Sequence, residues 1–158
     1  MARSLQLFRR GGLAVLMATA LSTSLVSANA FYEAEDAVTY RQHALSLMAN
    51  NFSVMGDMLK GDREYDAEVF AARAADTAKL ATIPWPAFSV EGAMPGNNSD
   101  ALPEIWDNWE DFQARADALG TRTAALAEVA ASGDRDAISG AFREVAMTCK
   151  GCHDNYKD

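Results

Sequence analysis

Residues 36–59 read DAVTYRQHALSLMANNFSVMGDML. Within them Val38, Arg41, Leu45, Met48, Phe52, Met55 and Leu59 recur at alternating intervals of three and four. On a helix of 3.6 residues per turn this spacing sets the seven side chains along one face for three heptads. A strand would need alternation at every second residue, and no such run occurs. Gly61 predicts the stop. The same period returns twice. Ile105, Trp109, Phe112, Ala116, Leu119, Thr123, Leu126 and Ala130 mark one further helix, and Ile138, Phe142, Val145, Cys149, Cys152 and Tyr156 mark the last. A thinner, alanine-rich face of Val69, Ala72, Leu80 and Ile83 predicts another helix over 65–83, ended by Pro84 and Pro86. Pro103 suits the first turn of the third helix with Asp100 as its cap, and Asp134 suits the N-cap of the fourth. The one long connection, residues 84–101 (PWPAFSVEGAMPGNNSDA), carries Trp85, Phe88 and Met94, so it is expected to fold back over apolar surface. Four helices with mostly short connections predict an all-α fold, an antiparallel up-down four-helix bundle.

Outside the helices, residues 1–30 read as an export segment. Arg3, Arg9 and Arg10 precede an apolar stretch from Gly11 to Leu21, and Ala28-Asn29-Ala30 is the small-x-small pattern a signal peptidase cuts. Cleavage before Phe31 leaves residues 31–158 as the mature domain, expected in a bacterial periplasm. The chain of 158 residues has 14 basic and 22 acidic side chains. Three of the basic groups and no acid lie in residues 1–30, so residues 31–158 carry a formal charge of −11. Such a surface repels phosphate backbones and anionic lipid, which argues against nucleic-acid and membrane-surface binding. Two cysteines are too few for a disulfide-dense scaffold.

Both cysteines fall in Cys149-Lys150-Gly151-Cys152-His153. C-x-x-C-H is the attachment signature of c-type haem. Two thiols add across the two haem vinyl groups, and the adjacent histidine supplies an imidazole nitrogen to iron. At ~100° per residue, Cys149, Cys152 and His153 share one side of a helix, so one planar macrocycle can meet all three. A reactive dithiol normally sits at a helix N-terminus, where its thiol pKa is lowered, and this pair lies well inside a helix. Zinc would need four ligands, and His43, expected to be exposed, is the only other histidine. Arg41 is the one charge on the first seam. A buried guanidinium must reach an anion or water.

With its leader, its four helices and this C-terminal motif, the chain resembles cytochrome c-prime, a class II c-type cytochrome. The likeness spans the mature chain: Asp36-Ala37-Val38, Tyr40-Arg41-Gln42 with Leu45 and Met48, Pro84-Trp85, Pro103-Glu104-Ile105-Trp106, and Cys149 to Tyr156. The resemblance implies one covalent haem c, iron held by His153 on one side, and Leu45 at the open distal position. It implies a five-coordinate iron that binds nitric oxide or carbon monoxide and changes by one electron. It also assigns Arg41 to a haem propionate. Low-spin relatives use a first-helix methionine as sixth ligand, for which Met48 is the candidate, although methionine on a seam is commonly core filler. Tyr156 and Lys157 follow His153 by three and four residues and flank the proximal face. Many members have arginine where Lys157 stands, and a lysine there can equally complement the helix end. Trp85 and Phe88 either close the haem edge or cover core. Tyr40, Leu47 and Val54 recur every seven residues off the seam, as a homodimer through the first helix or as ground covered by a neighbour. No motif places a general acid, base or nucleophile at the pocket. The expectation is therefore a carrier and gas-binding module with an unidentified periplasmic redox partner, not an enzyme.

Overall fold

The helix after Asp134 begins where its carboxylate accepts the backbone N–H groups of Asp136 and Ala137, both at 3.0 Å. This is the expected N-cap, and it satisfies donors that a helix start leaves without partners. The structure is a computed structural model that describes residues 31, 33–93 and 98–158. The expected leader at 1–30 and Met94 lie outside the described residues. Among the described residues, helices run over α1 (Ala34–Lys60), α2 (Ala67–Leu80), α3 (Glu104–Asp107), α4 (Trp109–Ser132) and α5 (Arg135–Tyr156), with a 3-10 turn at Trp85–Phe88. Gly61 and Gly133 end α1 and α4 at φ of 86° and 77°, a left-handed conformation that costs a side chain dearly and glycine little.

The four long helices pack in chain order, α1 on α2, α2 on α4 and α4 on α5, forming the expected bundle. None of the described helices is long and apolar enough to cross a membrane. The seam of α4 is buried as its spacing predicts, at Phe112, Ala116, Leu119, Thr123, Leu126 and Ala130. The Thr123 hydroxyl donates to Leu119 O at 2.8 Å, which lets a polar residue occupy that row.

Four expectations need correction. The third helix is not continuous. Asn108 adopts φ −124°, ψ 45°, and its backbone and side-chain amides both donate to Glu104 O at 3.0 Å, closing α3 before α4 begins. Asp100 caps neither helix; its carboxylate meets Lys157 Nζ at 3.0 Å. The second helix is shorter than expected and is capped by Asp66, whose carboxylate accepts from Glu68 and Val69 N–H. It buries Phe70, Ala74 and Thr77, followed by Ala81, while Val69 and Ala72 face outward. Phe70 offers far more apolar area than any alanine, and Thr77 can join it because its hydroxyl donates to Arg73 O at 2.8 Å. On α1 the buried stripe turns away from the expected seam: Ala37, Ala44, Asn51 and Met58 lie inside with Arg41, Met48 and Met55, while Leu45 and Phe52 are half-buried. Asn51 is accommodated because it accepts from Arg73 Nη1 at 2.8 Å and donates to Leu47 O at 3.0 Å.

The described residues of loop 84–101 fold back over apolar surface, as expected of Trp85 and Phe88. Ala87, Val90 and Ala93 cover Ala37 of α1, and Phe88 joins Ile105, Phe112 and Tyr156 in a second apolar cluster. Phe52 of α1 stacks on Phe142 of α5, with centroids 4.1 Å apart and planes 4° from parallel. The Phe142 ring rests on Gly56, where a Cβ would stand 3.2 Å from Cζ.

Candidate functional site

A cavity of ≈ 740 Å³ opens between α1 and α5 and is walled behind by α4 and the long loop. Its volume lies within the range of small-molecule and cofactor sites. Leu45, Met48 and Phe52 of α1 line it together with Val145, Cys149, Cys152, His153 and Tyr156 of α5, and Trp85, Phe88 and Phe112 complete its apolar wall. The structure thus brings Arg41, Leu45, Cys149, Cys152, His153 and Tyr156, separated by more than a hundred residues of sequence, to one apolar chamber. His43 is exposed, as expected, at its rim.

The three members of the motif reach this chamber because the last turns of α5 continue unbroken through Tyr156. Cys149 and Cys152 are half-buried, and burial pushes both thiols up, with the nearby Cys152 adding to the effect on Cys149. That is the reverse of the lowered thiol a disulfide-exchange protein needs. His153 is the most exposed of the three; burial of its ring and then the Lys157 charge lower its pKa, which favours the neutral imidazole that a metal can accept as ligand. No group of three or more histidine, cysteine or acidic residues able to hold a metal ion occurs among the described residues. Two thiols and a histidine on one side of an apolar slot therefore suit a macrocycle that brings its own metal.

Arg41 is 1% exposed. Its Nη1 donates to Ala93 O at 2.7 Å and its Nη2 to Ser99 Oγ at 3.3 Å, and its guanidinium lies 4.3 Å from the centroid of Phe88. Among the described residues no carboxylate pairs with it, and burial lowers its pKa. The expected anion is therefore not a side chain of the described protein. A guanidinium has five N–H donors, so several remain for a ligand carboxylate at the cavity edge. Neighbouring Gln42 donates to Asn98 O, which ties segment 98–102 to α1. The other side of that segment is held by the chain end: Leu102 N donates to Tyr156 O at 3.1 Å and Asp158 N to Asp100 O at 2.9 Å. The Lys157 ammonium pairs with Asp100 at 3.0 Å and also donates to Asp158 O at 2.7 Å.

A family model described as Cytochrome C' matches residues 36–157. The chain belongs to the cytochrome c' family. Cytochrome c' of Halomonas halodenitrificans is 41% identical over 130 residues, covering 79% of this chain and 98% of that protein. Cytochrome c prime from Shewanella frigidimarina shares the fold with a TM-score of 0.77 at 44% identity, over 81% of this chain and 98% of that one. A nitric oxide complex of an Alcaligenes xylosoxidans cytochrome c prime variant matches with a TM-score of 0.73 at 38% identity, over 81% and 98% of the two chains. Members carry covalently bound haem c, and the cofactor of this chain is haem c, for which Cys149 and Cys152 are the only thiols in the sequence.

Two residues of α4 that bond to the motif-bearing end of α5 escaped the sequence reading. Asp111 and Arg115, one turn apart on α4, pair at 2.6 Å. Tyr156 Oη donates to Asp111 Oδ2 at 2.6 Å, and Arg115 Nη1 donates to Gly151 O at 2.7 Å. Arg115 and then Tyr156 hold the Asp111 carboxyl below its usual range, while the bond to that carboxylate raises the Tyr156 phenol. The only sequence signal was an acid and a base four apart, which is commonplace on solvated helices.

Proposed function

We propose that this protein is a periplasmic cytochrome c', made with a cleaved leader at residues 1–30, that captures diatomic gases and exchanges single electrons rather than turning over a substrate. The observation that carries this reading is the cavity itself, with two thiols and an imidazole on the α5 wall and an aliphatic side chain, Leu45, on the α1 wall. Bound haem supplies one-electron change at iron and a coordination position for small gases. Cys149 and Cys152 anchor it, and His153 presents the proximal nitrogen. Leu45, on the α1 wall, offers no lone pair and would border the haem with an aliphatic surface rather than a ligand. Arg41, already fixed under Phe88, turns its spare donors to a propionate. Nitric oxide complexes of the Alcaligenes xylosoxidans relative support gas binding. The acidic surface favours a basic redox partner.

Met48 also lines the cavity, one turn beyond Leu45 and 9% exposed. It supports the second reading, a six-coordinate, low-spin electron carrier with a thioether sixth ligand. Optical spectra of the reduced holoprotein with and without carbon monoxide separate the two. A high-spin spectrum that shifts on adding the gas is the expected result; a low-spin spectrum indifferent to it overturns gas capture. Leu45→Ala is expected to speed carbon monoxide binding by about tenfold or more, equivalent to ~1.4 kcal/mol of steric barrier. Stopped-flow rates equal to those of the parent protein would remove Leu45 from the distal position.

The outer stripe of α1 supports pairing of two copies. Tyr40 is 44% and Leu47 57% exposed, and Val54 is half-buried beside them. An isologous contact through α1 would cover all three. Leu47→Glu places like charges across such an axis and is expected to halve the mass measured by sedimentation. An unchanged mass counts against this interface.

A further inference from the structure

His153 lies between two points at which α4 grips α5. On the N-terminal side, Arg115 Nη1 donates to the carbonyl of Gly151, the second of the two residues between the cysteines, at 2.7 Å. The same carbonyl accepts Asn155 Nδ2 at 2.8 Å. On the C-terminal side, Tyr156 donates to Asp111 at 2.6 Å. Asp111 and Arg115 are themselves joined at 2.6 Å, and the guanidinium carbon stands 5.7 Å from the centroid of the Tyr156 ring. Tyr156 is buried and set edge-on to Phe112 of α4, with centroids 5.5 Å apart. The guanidinium also borders a small cavity, ≈ 50 Å³, shared with Cys149, Cys152 and His153.

We infer that Arg115, held by Asp111, is a positioning residue for the haem-binding turn: with Tyr156 it fixes the rotation and pitch of the α5 segment that presents Cys152 and His153. An i,i+4 ion pair left in solvent contributes little. This pair differs because each partner spends a second bond on the neighbouring helix, one on either side of the histidine. A carbonyl in the last helical turns that accepts two side-chain donors is tied against local fraying. The guanidinium can serve Asp111 through Nε and Gly151 through Nη1 at once because its donors are rigidly forked; a lysine ammonium on its flexible stem cannot reproduce both.

The inference rests on the haem reading only for what the held turn carries, and the two fail differently. Loss of the haem site removes the visible absorbance of purified holoprotein; loss of the clamp leaves the absorbance and loosens the turn. The experiment is amide hydrogen exchange on holoprotein, parent against Arg115→Leu and Arg115→Lys, with the hyperfine-shifted imidazole resonances of His153 recorded in parallel. Both variants are expected to exchange about tenfold faster or more at residues 152–157, as loss of one charge-assisted hydrogen bond implies. Protection of α1 and α2 stays as in the parent, and the His153 resonances move. Unchanged exchange at 152–157 in Arg115→Leu overturns the inference. Faster exchange in every helix overturns it as well, because it marks general stability. Should Arg115→Leu not accumulate as holoprotein, Tyr156→Phe decides in its place. It removes one hydroxyl from the same clamp; severalfold faster exchange confined to 152–157 supports the inference and unchanged exchange rejects it.

Discussion

Replacing Cys149 and Cys152 together by alanine is expected to yield a protein whose colour is removed completely by acid–acetone, whereas the parent protein keeps all of it. Each thioether is a covalent bond that neither denaturation nor acid breaks, so one surviving cysteine retains the chromophore, and only the double substitution releases it. Both sulfurs are half-buried on the chamber wall, and neither takes part in a disulfide. The bundle depends little on them: the buried residues of α5 are Ile138, Val145 and Tyr156. Far-UV circular dichroism of the double variant is therefore expected to remain helical, which separates lost attachment from lost folding. Colour that resists extraction from the double variant would mean that the chromophore is fixed elsewhere.

The second large effect lies far from the cavity rim. Phe70→Ala is expected to lower unfolding free energy by about 3–5 kcal/mol, the usual range for deleting a buried phenyl ring. Phe70 is 0% exposed and sits in the main core with Met55, Met58 and Leu126, its ring 5.7 Å from that of Tyr65. The neighbouring substitution Val69→Ala is expected to stay within about 0.5 kcal/mol, because that side chain faces outward. Urea titrations of the holoproteins measure both, read as a fall in midpoint at constant slope. Equal effects at the two positions would restore the inner face that periodicity alone had assigned to α2.

The contrast at positions 69 and 70 shows what periodicity can decide. Along α4 the spacing named the row from Phe112 to Ala130 correctly, because Phe112, Leu119 and Leu126 recur there every seven residues with no rival stripe. In α2 two alanine-rich rows compete, and the winning row contains Thr77, whose polarity counts against it until its hydroxyl is seen bonded within the helix. In α1 the pattern found the helix but misjudged its rotation. Leu45 and Phe52 sit on the chamber, a second apolar surroundings, and helical spacing does not distinguish a chamber from a neighbouring helix. The motif at 149–153 was legible because its chemistry is local. Arg41 was legible as an oddity, yet its partners Ala93 and Ser99 are more than fifty residues away. Asp111 and Arg115 were invisible, since the bonds that set them apart from other charged pairs are made to Tyr156 and Gly151 on another helix.

The close seat of Phe142 on Gly56 binds two distant codons into one unit of inheritance. A methyl group at 56 would stand 3.2 Å from a ring that is stacked on Phe52, so alanine there requires the ring to yield by a few tenths of an ångström and is easier to place once 142 is smaller. A smaller residue at 142, arriving first, would leave Phe52 without its backing at the base of the chamber. Substitutions at the two sites are thus expected to be coupled, so that changes at 56 and 142 partly rescue each other.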